Sequence, residues 1–397
     1  MEEWKEYKLG EVAIPVRDRI ETSCLDSSTY ISTENMLPNK AGITLSSGIP
    51  SGNAIKFKNG DVLISNIRPY FKKIWRADKV GGCSADVICL RASYEVEPLF
   101  LYYLLSQDLF FDYVMQGAKG TKMPRGDKNQ IMQWPVLLPP KSEQHQIALI
   151  LSALDAKIEV NRRINDNLEQ QAQALFQSLF MEFEPFRDQP FVESELGMIP
   201  QGWKVKSLSS IADYINGLAM QKYRPANDET GLPVLKIKEL GQGCCDDNSE
   251  LCSPSLIGEK YVIDDGDIIF SWSGTLMVKI WCGGKCGLNQ HLFIVKPSDT
   301  PKWFAYQWTK HHLGNFIQIA KDKAVTMGHI KRGELDKAKV LVPDKDNFAK
   351  ISSMMIPIHH QIISNEIESR RLAKLRDTLL PRLMSGELNV NNIKEIA

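Results

Sequence analysis

Basic side chains are concentrated in two stretches of the first half of the chain. Between residues 56 and 79, seven lysines and arginines outnumber two aspartates, with aromatic residues interleaved. Residues 119–128 place four basic side chains in a glycine-containing loop with one aspartate. Lysine and arginine bind the phosphates of nucleic acids. These stretches therefore predict a set of DNA contacts: Arg68, Tyr70, Lys72, Lys73, Lys119, Lys122 and Arg125.

A similar basic stretch lies in the second half. Residues 321–339 carry six lysines and arginines against three acidic residues, with a histidine among them. The loops at 119–128 and 321–332 match in position but differ in detail, as two readers of different DNA sequences would. A solvated charged surface is the alternative interpretation. The DNA contacts predicted here are Lys321, Lys323, His329, Lys331 and Arg332.

Composition limits the class of protein. The net charge is zero, with 43% hydrophobic and 24% charged residues, so any nucleic-acid site must be a local basic surface. A charged N-terminus and the absence of a long apolar run predict a cytoplasmic protein without a membrane segment. Eight cysteines then indicate reduced thiols. Cys282 and Cys286 have zinc spacing but no second close pair, so we expect no metal site.

Motifs for catalysis are missing from the sequence. No Gly-x4-Gly-Lys-Ser/Thr loop for ATP is present, and no Asn-Pro-Pro-aromatic motif or glycine-rich turn for S-adenosylmethionine. A nuclease site of scattered acidic residues and lysine has no strong signature, so it stays an open alternative. We therefore predict no catalytic residue and no cofactor in this chain.

The chain contains an internal repeat. Five matches follow one another in the same order, at offsets of 199 to 206 residues. A repeat of this length indicates a duplicated domain with a connector. The matches are Trp4-x4-Leu9 with Trp203-x4-Leu208, Gly60–Ser65 with Gly266–Ser271, Phe100-x-Tyr102 with Phe304-x-Tyr306, Met123 with Met327, and Val136–Pro139 with Val340–Pro343.

Each half ends in a long predicted helix. From Ser142 to about Phe183 there is no glycine or proline, and apolar residues recur at alternating spacings of three and four. This spacing is typical of a coiled coil. The second half repeats the pattern, and Asn365 matches Asn161, which indicates that the helices pack on each other. The predicted packing residues are Leu151, Leu154, Ile158, Asn161, Leu168, Leu175, Ile358, Ile362, Asn365, Leu372 and Leu379.

The repeat and the helices together predict five segments and an α+β fold class. Two similar mixed α/β domains lie in tandem, and each is followed by a long helix. The stretch between the first helix and the second domain is rich in proline and is predicted to be a linker. The segments are a first domain at 1–140, a helix at 141–184, the linker at 185–201, a second domain at 202–344, and a helix with tail at 345–397.

The combination resembles the specificity subunit of type I restriction-modification systems. The resemblance rests on the Trp-x4-Leu openings, the Gly-Asp-Val/Ile strands and the helix entry Leu138-Pro139-Pro140-x2-Glu143-Gln144. The segment from Glu195 to Trp203 that opens the second half is the most characteristic. The entry to the second helix, after Pro343, lacks the Glu-Gln pair.

The resemblance implies an architecture and a set of partners. Two target-recognition domains would each read one half of a split, asymmetric site in double-stranded DNA. The two helices would pack as an antiparallel coiled coil that sets the number of unread bases. Two modification subunits would bring S-adenosylmethionine, and restriction subunits would bring ATP and Mg²⁺. The alternatives are a self-contained nuclease or methyltransferase and a coiled-coil scaffold.

Overall fold

The computed structural model describes residues 4–246, 248–322 and 330–390. The chain divides into two compact units. Unit 1 comprises Met1–Ala156 and Leu372–Ala397, and unit 2 comprises Lys157–Arg371. The five predicted segments follow the chain, whereas the compact units follow contacts in space, so each unit includes a part of both long helices.

Unit 1 contains ten strands and four short helices among its described residues, together with parts of α5 and α9. The strands are β1 (Lys5–Lys8), β2 (Ala13–Pro15), β3 (Arg19–Glu21), β4 (Tyr30–Ile31), β5 (Asn53–Phe57), β6 (Val62–Ser65), β7 (Ile74–Arg76), β8 (Gly81–Cys83), β9 (Val87–Ala92) and β10 (Pro135–Leu138). The helices are α1 (Leu9–Val12), α2 (Pro98–Leu105), α3 (Asp108–Gln116), α4 (Lys128–Ile131), α5 (Lys141–Phe180) and α9 (Lys345–Met384), with 3-10 turns at Thr22–Cys24 and Pro69–Phe71.

Two four-stranded sheets and helices form three layers in unit 1. The antiparallel sheet β2-β9-β6-β7 presents Val62, Ile64 and Leu90 to the helices on one face. Its other face presents Leu63 and Cys89 to the second sheet, β3-β5-β8-β4. Since successive side chains of a strand point to opposite faces, a continuous apolar run such as Val62–Ile64 is what a strand buried on both faces requires.

Unit 2 contains twelve strands and three further helices among its described residues, together with parts of α5 and α9. The strands are β11 (Phe191–Ser194), β12 (Gly197–Pro200), β13 (Lys204–Ser207), β14 (Ala212–Asn216), β15 (Leu232–Leu235), β16 (Leu251–Cys252), β17 (Val262–Ile263), β18 (Asp267–Ser271), β19 (Met277–Trp281), β20 (Cys286–Leu288), β21 (Leu292–Pro297) and β22 (Lys339–Val342). The helices are α6 (Ile237–Gln242), α7 (Lys302–Asp322) and α8 (Gly333–Lys337), with 3-10 turns at Glu184–Phe186, Leu208–Ser210, Met220–Lys222 and Glu259–Tyr261.

The two units share one sheet topology. The order β14-β21-β18-β19 in unit 2 repeats β2-β9-β6-β7 of unit 1, and all pairings are antiparallel. The pair β13–β22 repeats β1–β10. The second sheets share three strands, β5-β8-β4 and β17-β20-β15. They differ in the fourth strand, which is β3 beside β5 in unit 1 and β16 beside β15 in unit 2. The predicted fold class, with two similar α/β halves, is confirmed.

The Gly-Asp turn before β6 and β18 has the same geometry in both units. Gly60 and Gly266 have φ angles of 90° and 83°, in the region that favours glycine. The following aspartate closes the turn, because Asp61 accepts from the Lys58 N–H at 2.8 Å and Asp267 from the Asp264 N–H at 2.9 Å. The repeated sequence therefore records a repeated backbone requirement.

The long helices run antiparallel where they meet. In unit 1, Ile147, Leu151, Leu380 and Leu383 belong to one core, and Arg376 forms an ion pair of 2.6 Å with Asp155. In unit 2, by contrast, the contact includes several asparagine amides. Asn165 Nδ2 donates to the Ile362 carbonyl at 3.1 Å, and Asn365 Nδ2 donates to Asn165 Oδ1 at 2.8 Å. Asn161 Nδ2 donates to Glu368 Oε2 at 2.8 Å.

The predicted packing residues lie on the inner side of the helices. Leu151, Asn161, Ile362 and Asn365 are buried. The other seven are half-buried, and none of the eleven is exposed: Leu154, Ile158, Leu168, Leu175, Ile358, Leu372 and Leu379.

The missing Glu-Gln pair changes how the second helix begins. At the start of α5, Glu143 accepts from Trp4 Nε1 at 3.2 Å, and Gln144 Nε2 donates to the Pro139 carbonyl at 2.9 Å. At the start of α9, Asn347 occupies the position of Glu143 and bonds locally to Asp344. Trp203 Nε1, which matches Trp4 Nε1, is buried without a partner among the described residues.

The segment predicted as a linker has local structure. It contains the 3-10 turn Glu184–Phe186 and the hairpin β11–β12, in which Phe191 pairs with Pro200. Among the described residues, no helix is long and apolar enough to cross a membrane.

We predict that Asp61→Ala destabilises unit 1 by about 2 kcal/mol, since it removes two hydrogen bonds between a buried carboxylate and the Arg91 guanidinium. Asp61 is 1% exposed and accepts from Arg91 Nε and Nη2, both at 2.8 Å. Faster hydrogen exchange in β6 and β9, measured by mass spectrometry, would report the loss.

The matched control is Asp267→Ala. That carboxylate is 24% exposed and faces the more exposed Lys302, so we expect a loss of about 1 kcal/mol in β18 and β21. Equal losses of stability in the two variants would contradict the conclusion that the Asp61 ion pair contributes more than the Asp267 ion pair.

The asparagine contact generates a second prediction. Asn165→Leu or Asn365→Leu alone leaves one polar atom of the remaining buried amide without its partner and costs about 1–3 kcal/mol, whereas the double variant removes both atoms and recovers most of the loss. Chemical denaturation in a double-mutant cycle measures the coupling. Asn167→Leu, on the exposed side of α5, serves as the control and should change stability by less than about 0.5 kcal/mol. If the double variant loses as much stability as the two single variants together, the direct contact is disproved.

Candidate nucleic-acid interface

Three loops of unit 1 meet at the end of β6. The Asn66 N–H donates to the Asp86 carbonyl at 2.9 Å, and the Gly126 N–H donates to the Asn66 carbonyl at 3.2 Å. The Arg68 N–H donates to the Pro124 carbonyl at 2.8 Å. These bonds join the loop after β6 to the loop before β9 and to the loop before α4. The predicted DNA contacts of unit 1 all lie on this loop cluster.

A lysine pair borders the cluster. The Lys40 N–H donates to the Lys72 carbonyl at 3.0 Å, and both ammonium groups contact Asp108, at 2.9 Å and 3.0 Å. Partial burial raises the pKa of Asp108, but the hydrogen bonds from Lys40 and Lys72 outweigh it and hold that pKa below its usual value. The carboxylate therefore stays charged and holds two positive groups side by side, which suits a phosphate.

The basic side chains of the loop before α4 differ in whether they have an acidic partner. Arg125 Nη2 lies 3.2 Å from Asp86 Oδ1. Lys119 forms an ion pair of 3.1 Å with Asp127, and this hydrogen bond is the main cause that lowers the pKa of Asp127. The Lys119 side chain is 81% exposed. Lys122 is also exposed and has no ion-pair partner among the described residues.

The other predicted residues of unit 1 differ in how accessible they are. Tyr70 is 46% exposed, beside Phe71 at 4.7 Å between ring centroids. Arg68 is half-buried, with a φ of 50° and a buried Nε that has no partner among the described residues. Lys73 donates to the Thr33 carbonyl at 2.6 Å, and burial lowers its pKa. Tyr70 is therefore accessible to a ligand, whereas the Lys73 ammonium is already hydrogen-bonded within the protein.

Unit 2 repeats the backbone connection of the cluster with different side chains. The Ile330 N–H donates to the Trp272 carbonyl at 3.2 Å, which matches the bond between Gly126 and Asn66. Trp272 Nε1 donates to Asn216 Oδ1 at 3.0 Å. Ser273 Oγ lies 3.0 Å from His291 Nδ1. This end of the unit 2 sheet therefore carries an indole, an amide and an imidazole where unit 1 carries an ion pair.

The predicted residues of unit 2 are described in part. Arg332 Nη2 donates to the Tyr214 carbonyl at 2.7 Å, at the edge of the sheet. Lys321, at the end of α7, and Lys331 are exposed. Lys323 and His329 lie outside the described residues.

Several residues of the two surfaces were not predicted from the sequence. All but Lys40 lie at the end of a core strand or directly beside it, in positions that the repeated Gly-Asp strands locate once the halves are aligned. No composition signal marks them, because most are uncharged or acidic. They are Lys40, Asn66, Asp86, Asn216, Trp272, Gln290 and His291.

The surfaces have no metal-binding cluster within the described parts of the chain, where no three His, Cys, Asp or Glu side chains are placed to share an ion. The thiols of the described cysteines are free, and Cys245 Sγ lies 3.5 Å from Cys286 Sγ. The chemistry that these surfaces offer is hydrogen bonding, charge and ring contact.

The comparisons with known proteins agree with this geometry. The sequence model of the family described as "Type I restriction modification DNA specificity domain" matches residues 1–170 and 200–375. The chain is similar to the HindI specificity subunit of Haemophilus influenzae, with 25% identity over 98% of this chain and 100% of that protein. It is also similar to the MjaIX specificity subunit of Methanocaldococcus jannaschii, with 27% identity over 74% of this chain and 70% of the relative.

A solved structure shares the fold. The S subunit of a type I restriction-modification system from M. genitalium has a TM-score of 0.55 and 15% identity, over 96% of each chain. The tandem match of one family model also agrees with the repeated sheet topology of the two units. The resemblance predicted from the sequence is confirmed, and the chain belongs to the family of type I restriction-modification specificity subunits.

Proposed function

We propose that this chain reads a split, asymmetric site in double-stranded DNA for a type I restriction-modification enzyme. The loop cluster of unit 1 would read one half-site, and the matching surface of unit 2 would read the other. The observation that carries the proposal is that one backbone framework, with the same bond at Asn66 and Trp272, presents different side chains in the two units. Two different readers in one chain suit two unlike half-sites, whereas a symmetric homodimer suits a palindrome.

Phosphate contacts and base contacts would come from different residues. Exposed lysines such as Lys119 and Lys122 suit phosphates, which fix the position of the protein but carry little sequence information. The groups held at the strand ends suit base edges, because their orientation is fixed by hydrogen bonds. In unit 2 these are Asn216, Trp272 and His291.

The long helices would provide the spacing and the docking sites. α5 and α9 each run for 40 residues and contact each other through apolar and amide side chains. We propose that two modification subunits dock on the helical parts and bring S-adenosylmethionine, and that restriction subunits bring ATP and Mg²⁺. This chain would then contribute recognition without a catalytic residue of its own.

The proposal is tested by co-expressing the chain with its modification subunit and mapping methylated bases across genomic DNA. A single motif with two short, unlike halves separated by unread bases is the expected result. A palindrome would contradict the two-reader arrangement. Cleavage or methyl transfer by the purified chain alone, with Mg²⁺ and S-adenosylmethionine, would favour the lone-enzyme alternative. Complex formation without any sequence-selective DNA binding would favour a scaffold.

Removing exposed lysines from the unit 1 surface should weaken DNA binding without changing the motif. For Lys119→Ala/Lys122→Ala we expect the slope of log affinity against log salt to become shallower by about 0.9 for each phosphate that the variant no longer binds. Fluorescence anisotropy titrations at several salt concentrations measure the slope. Lys58→Ala is the control, since Lys58 is exposed at the opposite end of β6 and should leave the slope unchanged. An altered half-site in the double variant would contradict a phosphate role.

Shortening both helices by a matched heptad should shorten the spacer. Residues 161–167 face residues 362–368, as the bonds of Asn161 and Asn165 show, so deleting both segments keeps the helices in register. Seven residues correspond to about 10 Å of helix, or about three base pairs. Methylation mapping should show unchanged half-sites with a shorter gap.

The control deletes residues 161–167 alone. This variant moves α5 out of register with α9 and leaves Asn365 without Asn165, so we expect it to lose stability. An unchanged spacer in the matched double deletion would refute the role of the helices in spacing.

A further inference from the structure

Arg125 and Asp86 form an exposed ion pair at the centre of the unit 1 loop cluster. Arg125 Nη2 lies 3.2 Å from Asp86 Oδ1, and the side chains are 58% and 41% exposed. Among the described residues, Arg125 Nε and Nη1 have no hydrogen-bond partner. The Asp86 carboxylate therefore contacts the guanidinium through the Nη2 nitrogen alone and leaves the other donors available to a ligand.

The backbone under this pair is fixed from several directions. Arg125 exchanges both backbone hydrogen bonds with Lys119, at 2.9 Å each. The neighbouring Gly126 N–H donates to the Asn66 carbonyl, and the Asn66 N–H donates to the Asp86 carbonyl. Asn66 thus connects the two backbones that carry the ion pair.

Gly126 allows this close approach. A Cβ at this position would lie 2.8 Å from Val114 and 2.9 Å from Asn66 Oδ1, so a larger residue would push the loop away. Pro124, on the other side of Arg125, is buried. The loop therefore fixes where the Arg125 side chain leaves the backbone, unlike the exposed Lys122.

A guanidinium with a fixed backbone attachment and one carboxylate contact suits a base edge better than a phosphate. Arginine presents a planar fork of donors that matches O6 and N7 of guanine in the major groove, and a carboxylate accepts from N4 of cytosine. We propose that Arg125, positioned by Asp86, recognises guanine of a G·C base pair in the half-site read by unit 1. This inference rests on the proposed function and names one base pair of its target.

Unit 2 differs at the matching place. The residue that aligns with Asp86 at the start of the last core strand is His291, which faces Ser273 Oγ at 3.0 Å. The requirement for guanine through this pair is therefore confined to the half-site of unit 1, and the half-site of unit 2 serves as an internal control in every experiment.

The test compares Arg125→Gln, Arg125→Lys and Asp86→Asn, each as the full chain with its modification subunit, by selection from randomised DNA and by methylation mapping. We expect Arg125→Gln to lose preference for guanine at one position by about 10-fold or more, since glutamine pairs with adenine. Arg125→Lys keeps the charge but loses the planar fork, so its preference at the same position should also fall. Asp86→Asn should relax that position while the other bases stay unchanged.

The matched control is Lys122→Ala, which should weaken binding and preserve every base of the motif. If the Arg125 variants also preserve the motif and only weaken binding, or if Arg125→Lys restores wild-type behaviour in full, Arg125 contacts a phosphate and the inference is wrong. If the wild-type complex reads a split motif but no guanine in it becomes less preferred in the Arg125 variants, the inference about Arg125 is wrong and the proposed function stands. If the wild-type complex shows no sequence preference, the proposed function fails with it.

Discussion

The proposed recognition surface of each unit depends on backbone hydrogen bonds at the end of the strand that follows the Gly-Asp turn. In unit 1 the Asn66 backbone joins two loops by accepting from Gly126 and donating to Asp86. In unit 2 the Trp272 carbonyl accepts from Ile330 in the same way. Because these bonds use backbone atoms, they hold the loops in place whatever side chains the loops carry. The exposed side chains of these loops can therefore change without disrupting the framework.

The Gly-Asp turn supports this framework from the other end of the strand. A glycine at positive φ and an aspartate that accepts from the backbone three residues earlier begin β6 and β18 in the same way. The aspartates then diverge, since Asp61 is buried against Arg91 and Asp267 remains partly exposed beside Lys302. In both units the aspartate therefore keeps its hydrogen bond to the backbone, whereas its ion pair differs.

The contacts between α5 and α9 also differ between the two units. The contact in unit 1 combines leucines with the ion pair of Asp155 and Arg376, and the contact in unit 2 uses buried asparagines. An apolar seam alone permits several alignments, because one leucine replaces another with little penalty. Paired amides and an ion pair favour a single alignment, since any shift leaves buried polar groups without partners. A fixed alignment is what a helix pair that sets a DNA spacing would require.

The sequence by itself determined the repeat, the buried strands, the long helices and the family, because these depend on local periodicity and on residues such as Gly60 and Asp61 that meet backbone requirements. It also placed the basic loops, since charge is visible in composition. It did not distinguish Arg125, held by Asp86, from Lys122, which is exposed, or from Lys73, which donates to the Thr33 carbonyl. It also missed Trp272, Asn216 and His291 in unit 2. Only the tertiary structure decided these points, because the partners of each side chain lie in loops distant along the chain and are brought together by the sheet.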